Sequence, residues 1–198
     1  MTDDIQKTLL RNDACRQAIP WASGFATWEE LWQACDAPDW MLWGLDKFGY
    51  KNDRRLRLFA ASCALRVQRL WDDPQAARAI ETATDAATGK ATAVELAAAH
   101  RATLAARDRL PERADFSESM AAAATAAASA LRDVAMDAAM DASRESARAI
   151  WWDPDSPGSW REEGTWQANE LRRIIGPDID PLITEIRKRS RGVLSVVP

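Results

Sequence analysis

The sequence predicts an all-α protein, a single multi-helix bundle of about eight helices, and three observations predict it. No segment alternates polar and apolar residues as a half-buried strand would. Apolar residues instead recur at three- and four-residue steps along most of the chain. Ala dominates long stretches that lack Gly and Pro, the composition that helix propensity favours most. A chain of 198 residues, 47% apolar and 28% charged, is long enough for a substantial core. Residues 1–198 are therefore expected to form one domain, with 189–198 as a tail that either docks in extended form or moves.

Residues 3 to 18 pattern as the first helix, with Ile5, Leu9, Leu10 and Cys15 near one face and Pro20 ending it. After a loop over 21–27, Thr27 and Glu30 stand in capping-box spacing and open a short helix through Cys35. Trp28, Leu31 and Trp32 follow its inner face. Another short helix begins at Pro38 and runs to Phe48, where Gly49 suits a left-handed cap.

Asn52 then caps the helix around which the others are expected to pack, residues 53–71. Leu56, Phe59, Cys63, Val67 and Leu70 share one face of it and are its core residues, with Ala60 and Trp71 beside them. Leu58, Ala61 and Leu65 fall almost opposite, flanked by Arg54, Arg55, Arg57, Arg66 and Arg69. Two apolar stripes predict cover on two sides, and the flanking guanidinium groups suit buried or interfacial ion pairs with Asp and Glu.

Pro74 opens the next helix, which Gly89 closes after Thr88. Thr92 and Glu95 form a second capping box, and that helix runs through Leu96, Leu104 and Leu110 to Pro111. From 118 to 152 the Ala-rich run has no Gly or Pro and predicts the longest helix of the molecule. Residues 153–159, DPDSPGS, form the clearest loop. Ser159 with Glu162 starts the helix that Gly176 and Pro177 end, and Asp180 with Pro181 begins the last one, to Arg189.

Composition excludes several classes. A net charge of -4 gives no global bias toward nucleic acid or an anionic membrane. The start MTDDIQKTLL lacks the basic and apolar regions of a signal peptide, and no apolar run approaches the about 20 residues that span a bilayer. A cytoplasmic location without a membrane partner is the expectation. Cys15, Cys35 and Cys63 are odd in number and contain no CxxC pair, so reduced thiols are expected rather than disulfides or a zinc site. Ten Trp stand beside one Tyr, so a few large rings must supply much of the burial that Ala cannot.

Several segments carry a family resemblance. Trp40-Met41-Leu42 and the block from Asp53 to Cys63 resemble the W-M/L-L and D-R-x-L-R-L-F-A-x-x-C segments of a group of bacterial Ala- and Trp-rich helical proteins. The likeness continues through Asp73-Pro74, Ala79-Ile80-Glu81, Gly89, Thr92 and Glu95-Leu96, and returns at Gln167 to Arg172 and at Ile175-Gly176. Phage and bacterial relatives of that group are similar to the Imm5-like immunity family. The resemblance implies an all-helical fold and a place in host–phage conflict, and it brings no catalytic residues. Members often carry a second Cys beside the first; Ala64 stands there in this chain, so no paired thiol is implied.

Candidate sites each admit two readings. His100 is the only imidazole and so the only base for Ser-His-Asp or Cys-His catalysis, yet it sits in an Ala-rich helix without a motif and reads as structural or superficial. Asp133, Asp137 and Asp141 recur every four residues, a ridge that suits either a hard cation or a solvated face paired with Arg132, Arg144 and Arg148. Arg187, Lys188, Arg189 and Arg191 cluster where cations complement a helix C-terminus, or would contact phosphate. Trp151, Trp152 and Trp160 surround the 153–159 loop and are either a partner-binding surface or the seal of a helix end. Phosphate loops and HExxH, GxSxG and kinase motifs are absent.

The resulting expectation is a non-enzymatic factor without cofactor that binds a protein partner, as an immunity or phage–host conflict protein masking it would. A helical enzyme or metal-binding bundle using His100 or the Asp ridge is the alternative, as is a nucleic-acid contact through the basic C-terminus.

Overall fold

The computed structural model describes residues 5–110, 117–153 and 160–192. Its helices are α1 (Ile5–Arg11), α2 (Ala18–Ala22), α3 (Trp28–Ala34), α4 (Pro38–Lys47), α5 (Asp53–Val67), α6 (Pro74–Thr88), α7 (Ala93–Arg107), α8 (Ser117–Ser129), α9 (Ala135–Trp151), α10 (Trp160–Ile175) and α11 (Ile179–Gly192). Among the described residues there is no strand, and no helix is long and apolar enough to cross a membrane. The 153–159 loop beyond Asp153 and the tail from 193 lie outside the described residues.

The helix signals act where the sequence places them. Thr27 and Thr92 each accept from the third helical N–H, and Glu30 and Glu95 each reach back to the cap, completing both boxes. Asn52 accepts from Arg55 N at 3.2 Å, and Asp73 accepts from Gln75 N at 2.7 Å ahead of Pro74. Gly89, with φ of 77°, ends α6 in the left-handed region that an L side chain resists.

Helix α5 is the centre of the bundle, packed by α6, α8, α9 and α10. Leu56, Phe59, Cys63 and Val67 are fully buried on its first face. Leu70 is only half-buried, because the last turn tightens into a 3-10 helix over Gln68–Leu70 and rotates Trp71, rather than Leu70, into the core. The second stripe is covered in part. Ala61 is buried and Leu58 packs half-buried on the core, but Leu65, 57% exposed, faces solvent.

The expected helix over 118–152 is two helices. A straight rod of that length would extend about 50 Å and leave much of its Ala surface in water. Instead α8 ends at Ser129, the chain turns through 130–134, and α9 returns along α8. Arg57, buried in α5 with only 8% exposure, provides the reason. Its Nη1 donates to the Arg132 carbonyl at 2.6 Å and its Nη2 to the Asp133 carbonyl at 2.9 Å, while Asp133 Oδ1 accepts from Val134 N. The carbonyls freed by the reversal are thus satisfied by a cation from another helix. Ala122, Ala124 and Ala126 of α8, with Ala138, Ala139 and Ala142 of α9, join the same core as α5.

The first expected helix is likewise divided. Asn12 Nδ2 donates to Thr8 O at 2.8 Å, Asp13 adopts a left-handed φ of 60°, and α1 stops at Arg11. Pro20 lies inside α2, in the first turn, where its missing N–H costs no helical bond. The α7 helix ends at Arg107, ahead of Pro111.

Candidate functional site

The end of α9 and the start of α10 bring three indoles to one corner. Trp151, Trp152 and Trp160 are 59%, 49% and 52% exposed, and Trp151 meets Trp160 edge-on with ring centroids 6.3 Å apart. Ala149 and Ile150 already bury the last turn of α9, so the indoles are not needed to close it. The corner is pinned from beneath. Arg69 binds the buried carboxylate of Asp153 at 2.5 Å. One turn earlier on α5, Arg66 Nε binds Glu163 of α10 at 2.6 Å, and its guanidinium lies 4.4 Å over the Trp166 ring.

Glu163 belongs to a buried polar network that fixes α10 on α9. Gln167 Nε2 donates to Glu163 Oε1 at 3.0 Å, to Ser146 Oγ at 2.9 Å and to Ser143 O at 3.0 Å, while Ser143 Oγ donates to Gln167 Oε1 at 2.5 Å. Cys63 sits against this network. Burial, then the Glu163 carboxylate, push its thiol well above the ordinary range. Burial likewise pushes the Cys35 thiol up to about 11. Neither is a thiolate near neutral pH, so neither is poised as a nucleophile. At the other end of α5, the Asp178 carboxylate accepts from Tyr50 Oη at 2.9 Å and Asn52 Nδ2 at 2.7 Å and pairs with Arg55 Nε at 2.9 Å.

The remaining candidates lie apart from that corner. His100, on α7, faces a cavity of about 410 Å3 with Arg107, Arg132, Asp141 and Glu145. Burial, and then Arg132, hold its pKa below the ordinary value, which keeps the imidazole neutral. Asp133 falls in the turn before α9 rather than on the helix, so the three carboxylates do not share a helical ridge. Arg132 bonds both Asp137, at 3.3 Å, and Asp141, and Arg144 reaches Asp141 at 3.2 Å. A guanidinium therefore lies where a bridging cation would sit, and among the described residues no group of three His, Cys, Asp or Glu is arranged to hold a metal. Arg187 pairs with Glu29 through two contacts, at 2.9 and 2.8 Å, tying α11 to α3. Lys188 is exposed; the side chains of Arg189 and Arg191 lie outside the described residues.

No family model, curated protein or solved structure matches the chain. Its candidate sites therefore stand on geometry. One feature that sequence reasoning passed over is a cavity of about 1210 Å3 bounded by α1 to α4 on one side and α9 to α11 on the other. The available signal was density: five of the ten Trp fall between residues 21 and 43. Helix α10 forms one wall by pressing Gly164 close to the Asp36 carbonyl, where an added Cβ would stand 3.3 Å away. Arg172 clamps the same connection by donating to the carbonyls of Trp32 and Cys35.

Proposed function

We propose that the chain is a non-enzymatic protein-binding factor that masks a partner protein, in the manner of an immunity or phage–host conflict protein. The observation that carries this reading is the exposed corner of Trp151, Trp152 and Trp160. Large rings held at a fixed angle lose little conformational freedom on docking, and Trp is enriched among residues that dominate interface energies. The ion pairs of Arg69 with Asp153 and Arg66 with Glu163 tie the end of α9 and the start of α10 to α5 and the 3-10 turn that follows it, so the surface is preorganised. The likeness of Trp40 to Leu42 and Asp53 to Cys63 to immunity-related proteins points the same way. The partner that fits presents an apolar pocket rimmed by carbonyl or carboxylate acceptors, which would take the indole rings and their N–H groups.

Masking is tested with the product of the neighbouring gene. Cells in which that product alone arrests growth should recover when this chain is co-expressed. The triple variant Trp151→Ala, Trp152→Ala, Trp160→Ala should keep its helicity and lose the rescue. Rescue by the triple variant equal to wild type, or a neighbouring product without toxicity, overturns the reading. So does a concentration-dependent dimer that the triple variant abolishes, since the corner would then bind a second copy.

A further inference from the structure

We propose that the tryptophan-walled cavity between α1–α4 and α9–α11 binds a neutral, largely apolar small molecule that carries a carbonyl oxygen. This site is separate from the docking corner, and three independent observations support it.

The first is the wall itself. A cavity of about 1210 Å3 slightly exceeds the about 300 to 1,000 Å3 of ordinary small-molecule sites. Trp21, Trp28, Trp32, Trp40, Trp43 and Phe48 supply its lining. The rings support one another: Trp21 tilts against Trp40 at 5.5 Å, and Trp28 and Trp43 meet Phe48 edge-on at 5.6 and 6.3 Å. Such a wall is formed before any ligand arrives and offers apolar faces to a flat or chain-like body.

The second is an orphaned donor. Trp32 is 6% exposed and lines the cavity, yet its indole N–H is, among the described residues, the one buried side-chain nitrogen or oxygen without a hydrogen-bond partner. Native proteins rarely leave a buried donor unmatched, because it has surrendered water for nothing. An N–H asks for an acceptor, so the ligand brings an oxygen. The charged lining argues that this oxygen is neutral. Asp13, Asp36 and Asp39 outnumber Arg144 and Arg161, and Arg144 is already engaged by Asp141. Arg172 is spent on the Trp32 and Cys35 carbonyls. A carboxylate would meet three lining carboxylates with only the exposed Arg161 left to receive it, whereas a carbonyl would not be repelled.

The third is Gly44. It lies inside α4, where glycine weakens a helix, with neither a left-handed φ nor a crowding neighbour to require it. A Cβ there would meet nothing within 4 Å, and the residue lines the cavity. Its absent side chain leaves room inside the wall.

The test titrates the full chain with prodan, a neutral naphthyl ketone whose emission moves to the blue on leaving water. Wild type should bind one equivalent saturably, with energy transfer from tryptophan. Trp32→Phe keeps an aromatic face but removes the N–H; it should weaken prodan by about tenfold more than it weakens the carbonyl-free dimethylaminonaphthalene, the scale of one hydrogen bond. Gly44→Phe should intrude on the cavity wall and weaken both, while Trp151→Ala should change neither. Absence of saturable binding to wild type, prodan weakened no more than dimethylaminonaphthalene in Trp32→Phe, or loss of binding in Trp151→Ala overturns the proposal. Should Gly44→Phe fail to fold, Trp32→Phe decides alone.

Discussion

Replacing Arg57 by Met should loosen the reversal between α8 and α9 more than any other conservative change on α5. Met preserves most of the aliphatic stem and its packing but removes both donors that hold the Arg132 and Asp133 carbonyls. Hydrogen bonds from a charged donor contribute about 1.5 to 3 kcal/mol each, so the gross loss is about 3 to 6 kcal/mol. Part returns because the variant no longer buries a guanidinium, a cost visible in the lowering of the Arg57 pKa by desolvation. The net destabilisation should be about 2 to 4 kcal/mol. With a urea dependence near 2 kcal/mol per molar for a chain of this size, the midpoint should fall by about 1 to 2 M. Arg54→Met, one turn away and exposed, is the control and should stay within about 0.5 kcal/mol. Amide exchange over 130–134 should accelerate in Arg57→Met before global unfolding begins. An unchanged midpoint with unchanged exchange would mean that water satisfies those carbonyls equally well, and the account of the broken helix would be wrong.

Three further outcomes follow from the packing and the charges. Phe59→Ala should cost about 3 to 5 kcal/mol because the ring is wholly buried, Leu58→Asp should cost about 1 to 3 kcal/mol at its half-buried site, and Leu65→Asp should stay within about 0.5 kcal/mol; chemical denaturation ranks the three. A thiol reagent at neutral pH should titrate Cys15 alone in the folded chain and all three Cys after denaturation, since burial both covers Cys35 and Cys63 and raises their thiols; three fast equivalents in native buffer would refute this. The Thr92 N–H and hydroxyl hold the Glu95 carboxyl below its ordinary 4.5, so its stabilising contribution is complete above that pH and disappears as pH falls through the lower folded value. Melting curves of Glu95→Gln should therefore converge on wild type in acid and differ at neutral pH, and a constant difference would contradict the cap.

Much of the fold was legible because its instructions are local. Thr27 with Glu30, Thr92 with Glu95, Asp73 with Pro74, and Gly89 each act within a few residues of themselves. The break at 130–134 was not legible, because no Gly or Pro marks it and its cause, Arg57, lies 75 residues away in sequence. The guanidinium groups of α5 and the 3-10 turn after it announced ion pairs by residue type alone; that Arg55, Arg66 and Arg69 would choose Asp178, Glu163 and Asp153 required the packing of α10, of the end of α9 before it and of the turn that follows α10. The same division holds for the sites. Trp151, Trp152 and Trp160 stood out as neighbours in sequence, whereas the cavity needs two distant sets of helices to face each other before it exists.

The alanine seam has a consequence for how this chain can change. Ala60 of α5 and Ala138, Ala139 and Ala142 of α9 are wholly buried in the core that these two packed helices share. Side chains this small let helix axes approach closely, and close-packed interiors have no slack for an extra methylene. Enlarging one of these residues would wedge the two helices apart and strain the Arg57 contacts at the end of the seam. Variation should therefore be tolerated least along this featureless stretch of Ala, and most at conspicuous residues such as Leu65 and Val94, whose side chains stand in water.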